Sequence, residues 1–274
     1  MSTRHTLDSA TVWTAPKVRN AKGKTKLVCV TAYDAAFARL LDEAGIPLLL
    51  VGDSVGMTQL GFDSTLPVTM EHMVHHTSAV TRAVRRSLVV ADMPFLSYQI
   101  SEDQAVANAG RLIQEGGAGA VKLEGGVCRA GLVRRLIEIG IPVMGHVGLQ
   151  PQQIRTMGGY RVQGKNAESI ARIVEDARAL DEAGAFAIVL EGMPPEAARE
   201  VSAAVRAPTI GIGAGPFCDG QVLVLHDLLG LTEKPPRFVR PYADFRNLAL
   251  DAFRSFQADV EAGRFPGPEQ GYSS

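Results

Sequence analysis

Four short apolar runs each end in an acidic residue: LLLVGD at Asp53, LVVAD at Asp92, AVKLE at Glu124 and FAIVLE at Glu191. Carboxylate oxygens grouped in this way suit a hard divalent cation, and a carboxylate set away from the cation suits proton transfer. In a parallel sheet or barrel all strand C-termini open on one face, so such a fold would bring the four acids together from distant segments. Lys122 lies two residues before Glu124, and strand alternation points both side chains to the same face. Its ammonium reads as a structural ion pair with one of the acids, as a Schiff-base amine, or, the reading preferred, as a cation holding an anionic substrate.

Taken singly, each acid is equally a helix N-cap or a turn residue. Joint occurrence carries the metal reading, because Asp53, Asp92 and Glu124 end the second, third and fourth strand-like runs in succession. Two or three carboxylates suffice for Mg²⁺, which commonly keeps several waters. Glu191 ends the sixth run and is the candidate general base, with a helix-cap role equally open. His146 closes the fifth run and reads as a hydrogen-bonding group behind the site or a satisfied core histidine. His75 and His76 fall within an amphipathic segment and read as packing residues, and His226 at the end of the eighth run stays open. The run GIGAG at Gly211–Gly215 suits either an anion-binding loop or a tightly packed barrel corner.

Positioning these groups requires eight strands, and eight runs rich in Val, Ile and Leu occur at residues 26–32, 47–53, 87–92, 120–124, 142–146, 185–191, 208–213 and 221–226. Most are continuous rather than alternating, which predicts strands buried on both faces with helices packed outside. The intervening segments, such as DAAFARLLDEAG and AESIARIVEDARALDEAG, space apolar residues at three and four. Ser101 predicts an N-cap, and Gly45, Gly116, Gly140 and Gly184 fall where helices end. Alternation of strand and helix selects an α/β fold, and eight units at this length favour a (β/α)₈ TIM barrel. The rival is an open doubly wound sheet, although no GxGxxG follows the first strand. One barrel domain is expected over residues 1–274, with a core at about 26–230 and a C-terminal helical extension and tail over 231–274. The segment from Gly56 to Val68 reads as either a lid or an ordered interface element, and residues 242–263 as a helix.

Composition narrows the function classes. The 274 residues are 46% hydrophobic and 21% charged with a formal net charge of −1, an ordinary globular balance with no basic footprint for nucleic acid. Cys29, Cys128 and Cys218 show neither a disulfide framework nor zinc spacing, which fits a reducing cytoplasm. The N-terminal stretch lacks the apolar core of a signal peptide, and no apolar run approaches the ~20 residues that span a bilayer.

The segments VTAYDAAFARLLDEAG, LLVGDSVGMTQLGFDSTLPVTMEHMVHHTSAV, VVADMPFLSY, AVKLEGG, PVMGHVGL, GGYRVQGK, IVLEGMP and PTIGIGAG, with CDGQVLVLHDLLG, resemble the ketopantoate hydroxymethyltransferase family. The resemblance implies a (β/α)₈ barrel of the phosphoenolpyruvate/pyruvate type with one Mg²⁺ per subunit. It further implies transfer of a hydroxymethyl group from 5,10-methylenetetrahydrofolate to 3-methyl-2-oxobutanoate, giving 2-dehydropantoate for pantothenate biosynthesis. By position, the family's metal ligands fall on Asp53, Asp92 and Glu124, its ketoacid-binding groups on Asp53, Ser54, Asp92 and Lys122, and its proton acceptor on Glu191. His146 matches a histidine near the substrate. The partners implied are a small 2-oxo acid, a folate and further copies of the chain in a homodecamer. A departure is Gln150, where the family often has Thr. The competing classes are a Mg²⁺-dependent 2-oxo-acid lyase without folate and a non-catalytic ligand-binding barrel.

Overall fold

The computed structural model describes residues 12–272. Eight parallel strands close into a barrel in sequence order: β1 (Leu27–Thr31), β2 (Leu48–Val51), β3 (Leu88–Asp92), β4 (Ala120–Glu124), β5 (Val143–Gly148), β6 (Ala187–Glu191), β7 (Thr209–Ile212) and β8 (Gly220–Leu223). The expected barrel is therefore the observed one, and the open-sheet alternative fails on the pairing of β1 with β8. Helices α1 (Ala15–Arg19), α2 (Ala35–Glu43), α3 (Val55–Thr58), α4 (Met70–Thr81), α5 (Glu102–Gln114) and α6 (Ala130–Glu138) lie in the first half. They are followed by α7 (Ile154–Met157), α8 (Ala167–Glu182), α9 (Pro195–Ala204), α10 (Leu225–Leu228) and α11 (Phe245–Glu261). The chain divides into two compact units, Met1–Val224 with the barrel and Leu225–Ser274 with α10 and α11.

Strand alternation sorts the core into two sets. Leu48, Leu50, Val90, Ala120, Met144, Ala187 and Val189 pack together inside the barrel, while Leu49, Val51, Val89, Val121, Val143, Ile188 and Leu190 pack against the helices. Burying each such side chain contributes roughly 1.5–3 kcal/mol, enough to hold every strand in one register, since a one-residue slip would exchange the two sets. The same parity that sends Ala120 inward sends Lys122 and Glu124 inward, and likewise Asp92 with Val90, His146 with Met144 and Glu191 with Val189.

Local signals start the helices. Asp34 accepts from Ala36 and Phe37 N–H ahead of α2, Ser101 from Gln104 N–H ahead of α5, and Asn166 with Ser169 forms a reciprocal cap on α8. After α5 the left-handed residue is Gly117 rather than the expected Gly116. Gly116 has a packing reason instead, because a Cβ there would lie 2.9 Å from Thr77 Cγ2.

Helix α1 closes the N-terminal end of the barrel and was not indicated by periodicity. It is capped by Thr14, its Val18 joins the interior cluster, and Arg19 donates to Ala185 O and pairs with buried Asp181 at 3.1 Å. The segment from Gly56 to Val68 packs on itself: Gly56, Thr65 and Val68 are buried, and a Cβ on Gly56 would lie 2.6 Å from Val68 Cγ2.

Candidate active site

Register brings the sequence candidates together at the C-terminal ends of the strands. Asp92 stands opposite Lys122 across β3 and β4, and Glu124 opposite His146 across β4 and β5. Lys122 Nζ lies 2.8 Å from Asp92 Oδ1, a pair whose side chains are only 6% and 4% exposed. The other Asp92 oxygen accepts from Asp53 N–H at 3.0 Å. Asp53 itself sits two residues beyond β2, in the turn that leads into α3. Next to it, the Ser54 hydroxyl bonds the buried Tyr33 hydroxyl at 2.8 Å.

His146 joins the two acidic groups. Its Nδ1 lies 3.5 Å from Glu124 Oε1 and its Nε2 3.2 Å from Glu191 Oε2. Burial and the nearby Lys122 ammonium disfavour the imidazolium, but hydrogen bonding to Glu124 and Glu191 outweighs both and pushes the imidazole up to about 9. Its ring lies between the two carboxylates, so Glu191 stands one imidazole ring from Glu124. The side chain of Glu191 is 20% exposed. It is not a helix cap, since α9 begins with Pro194 as its N-cap and no side-chain cap bond.

Charge in this space is unbalanced. Burial, then the Asp92 and Glu124 carboxylates, push Asp53 up to about 8 against the opposing Lys122 and Gln152 contacts. Burial works against charge on Lys122 as well, yet Asp92, Glu124 and Asp53 together raise it above its ordinary value. The Lys122 ammonium thus touches Asp92 and is felt at longer range by Glu124 and Asp53, with the His146 ring at the edge. Among the described residues no three His, Cys, Asp or Glu side chains form a ready-made metal cage. The donor set nevertheless fits a hard cation held by one or two carboxylates and several waters, the usual manner of Mg²⁺. An added positive charge also answers the crowding that lifts Asp53.

Two groups in this site had no clear signal in the sequence. Gln152, on a single 3₁₀ turn (Pro151–Gln153) after β5, bonds Asp53 Oδ2 through Nε2 at 2.9 Å and Glu124 Oε2 through its own N–H at 3.1 Å. Tyr98, in the loop after β3, accepts Glu124 N–H at its hydroxyl at 3.1 Å. The one available cue was position, since polar residues in loops after barrel strands face this end. At the rim, the Tyr160 hydroxyl lies 3.6 Å from Met57 Sδ, joining the loop after β5 to the segment after β2.

The remaining candidates lie outside the cluster. His76 Nδ1 bonds Tyr33 O at 2.7 Å, a packing role, and His226 falls in α10 rather than at the end of β8. In GIGAG, a Cβ on Gly215 would meet Pro195 at 2.7 Å, so tight packing accounts for that glycine. Burial pushes the Cys29 thiol up to about 12, which removes it as a nucleophile.

The sequence profile of ketopantoate hydroxymethyltransferase matches residues 12–268. A 3-methyl-2-oxobutanoate hydroxymethyltransferase from Koribacter versatilis (strain Ellin345) is 54% identical over 247 residues, covering 90% of this chain and 84% of that one. The enzyme of the same name from Kosmotoga olearia (strain ATCC BAA-1733 / DSM 21960 / TBF 19.5.1) is 54% identical over 259 residues, covering 94% and 97%. Among solved structures, 2,3-dimethylmalate lyase, a PEP mutase/isocitrate lyase superfamily member, aligns with a TM-score of 0.60 at 19% identity over 96% of this chain and 92% of that one. Phosphoenolpyruvate phosphomutase from Streptomyces platensis subsp. rosaceus aligns with a TM-score of 0.62 at 14% identity over 95% and 92%. At such identities these two structures share the fold alone.

Proposed function

The chain belongs to the ketopantoate hydroxymethyltransferase family, and from that membership we propose that it transfers a hydroxymethyl group from 5,10-methylenetetrahydrofolate to 3-methyl-2-oxobutanoate, forming 2-dehydropantoate for pantothenate biosynthesis. The observation that carries this reading is the buried assembly of Asp53, Asp92, Lys122 and Glu124, with Glu191 one imidazole away. It offers a seat for a 2-oxo acid and a separate base.

In this reading Mg²⁺, one per subunit, is held by Asp53 and Asp92, with Glu124 as the third acid beside it. When bound, Mg²⁺ supplies Lewis-acid stabilisation for the negative charge that develops on the keto oxygen. Lys122 balances the substrate carboxylate, and Ser54 hydrogen-bonds the ketoacid from a hydroxyl fixed by Tyr33. Glu191 removes the single proton on C3, with the His146 ring 3.2 Å from that carboxylate and, in this reading, beside the substrate. Water adds to the methylene carbon of the folate iminium, and its carbon–nitrogen bond breaks with a proton going to nitrogen, so that tetrahydrofolate leaves and the one-carbon unit stays in the site at the oxidation level of formaldehyde. The C3 carbanion adds to that carbonyl carbon, and the resulting alkoxide takes a proton to become the hydroxymethyl group.

Product assay separates this from a lyase or a binding barrel sharing the fold. With purified chain, Mg²⁺ and ketoacid, 2-dehydropantoate is expected only when methylenetetrahydrofolate is added. Cleavage of the ketoacid without the donor, or no turnover with both substrates and Mg²⁺, would overturn the assignment.

Two further parts of the proposal concern the chain's setting. Cytoplasmic residence is supported by three free thiols, Cys29, Cys128 and Cys218, and no helix among the described residues is long and apolar enough to cross a membrane. A homo-oligomer, as in a decamer, is supported by α11. Phe245, Leu248, Phe253, Phe256 and Val260 recur at helical spacing on one stripe, all exposed. A native mass equal to one 29.2 kDa chain would remove that part of the reading.

A further inference from the structure

We propose that Gln152 is a positioning residue for the acidic site, holding Asp53 and Glu124 in the arrangement that receives the cation. The inference rests on the Mg²⁺ reading above and goes beyond it by assigning a role to a neutral residue on a turn after β5.

Gln152 is 4% exposed, and its primary amide makes every bond it can. Its Nε2 donates to Asp53 Oδ2 and to Met93 O, each at 2.9 Å. Its Oε1 accepts from the Tyr98 hydroxyl at 2.7 Å and from Gln99 Nε2 at 3.0 Å. These partners fix the orientation of the amide. Turned over, it would set its oxygen against a carboxylate oxygen and a carbonyl, neither of which donates, and its NH₂ against two donors. The backbone N–H of the same residue donates to Glu124 Oε2 at 3.1 Å. One residue therefore grips carboxylates that belong to two different strand ends.

Asp53 has particular need of such a grip. It lies outside β2, so no ladder bond from that strand sets its side chain, and its backbone N–H is committed to Asp92. Glu124 is braced twice, by Gln152 at the carboxylate and by the Tyr98 hydroxyl at its N–H. Tyr98 thus ties the end of β4 to the amide that holds Asp53. A neutral N–H suits the task, because it orients a carboxylate without opposing a cation as a second ammonium would. Each carboxylate keeps lone pairs for a metal or its waters. Without the amide, these side chains must be ordered when the cation binds, and their lost rotamer freedom is charged against affinity.

The test is Mn²⁺ binding to metal-stripped full-length chain without substrates, followed by the electron paramagnetic resonance signal of free Mn²⁺. Wild type is expected to take up Mn²⁺ at one site. Gln152→Leu, close in size but with no donor or acceptor, is expected to bind about 10–100-fold more weakly, the usual cost of removing a partner behind a metal ligand. Tyr98→Phe, which removes one of the two donors to the Gln152 amide oxygen and the acceptor of the Glu124 N–H while leaving the amide in place, is expected to weaken binding by a smaller factor. Circular dichroism reports whether each variant is folded. A folded Gln152→Leu chain with wild-type Mn²⁺ affinity overturns the inference, and if that variant does not fold, unchanged affinity in Tyr98→Phe overturns it. Absence of Mn²⁺ binding by wild type would instead strike the Mg²⁺ reading itself.

Discussion

Replacing Glu191 by Gln is expected to lower turnover by about 10²–10⁴-fold, the usual worth of a positioned general base. The same variant should lose solvent deuterium uptake at C3 of 3-methyl-2-oxobutanoate. Ketoacid binding should stay near the wild-type level. The expectation follows from where the carboxylate sits. Parity along β6 sends Glu191 into the barrel with Val189, and its side chain stays 20% open where Asp92 and Lys122 are nearly closed off. A base must reach substrate, and among the four acids with which the sequence marks its strand ends this one has the access. Gln keeps the shape of the side chain beside His146, so the surrounding geometry is preserved while proton acceptance is lost. Proton NMR in D₂O, with Mg²⁺ and without folate, isolates the proton-transfer step from carbon–carbon bond formation. Exchange at the wild-type rate in Glu191→Gln would remove Glu191 from the base role and leave it a partner of His146.

Much of this architecture is legible in the chain because barrel strands buried on both faces need continuous apolar runs. The eight runs correspond to the eight strands, and the acids that end them reach one face as a parallel barrel requires. What sequence leaves open is contact across the barrel. That His146 bridges Glu124 and Glu191 depends on the registers of β4 with β5 and β5 with β6, which the packing of whole strands decides. Gln152 meets Asp53 from 99 positions away, and nothing in the local run GLQPQQ distinguishes that glutamine from its neighbours. Helix α1 is five residues long, too short for a periodic signal, and tertiary anchors such as Arg19 with Asp181 hold it. Asp53 lies past the end of its strand because Gly52 and Asp53 already belong to the turn into α3, a boundary that apolar content does not mark.

Lys122→Met is expected to destabilise the metal-free chain by about 3–5 kcal/mol, the cost of leaving a buried charge without its partner. The ammonium is bound to Asp92 at 2.8 Å and also stands 3.4 Å from His146 Nδ1. Removing both charges in Lys122→Met/Asp92→Asn should recover part of the loss, because no unpaired member of the pair then remains. The pH dependence has a definite sign. Asp53 is raised in the folded chain from its ordinary 3.8 to about 8, so its contribution to stability is fully present below about pH 4 and is lost as pH rises through 8. Lys122 lowers that value, so without it Asp53 is raised further and the loss continues to higher pH. Mg²⁺ bound to the folded state alone should oppose the loss in wild type by mass action. Urea midpoints at pH 5 and pH 8.5, with and without Mg²⁺, read these effects together. A Lys122→Met chain that unfolds at the wild-type midpoint at pH 8.5 without metal would show that the pair is not what balances the buried acids. Additive effects of Lys122→Met and Asp92→Asn would lead to the same conclusion.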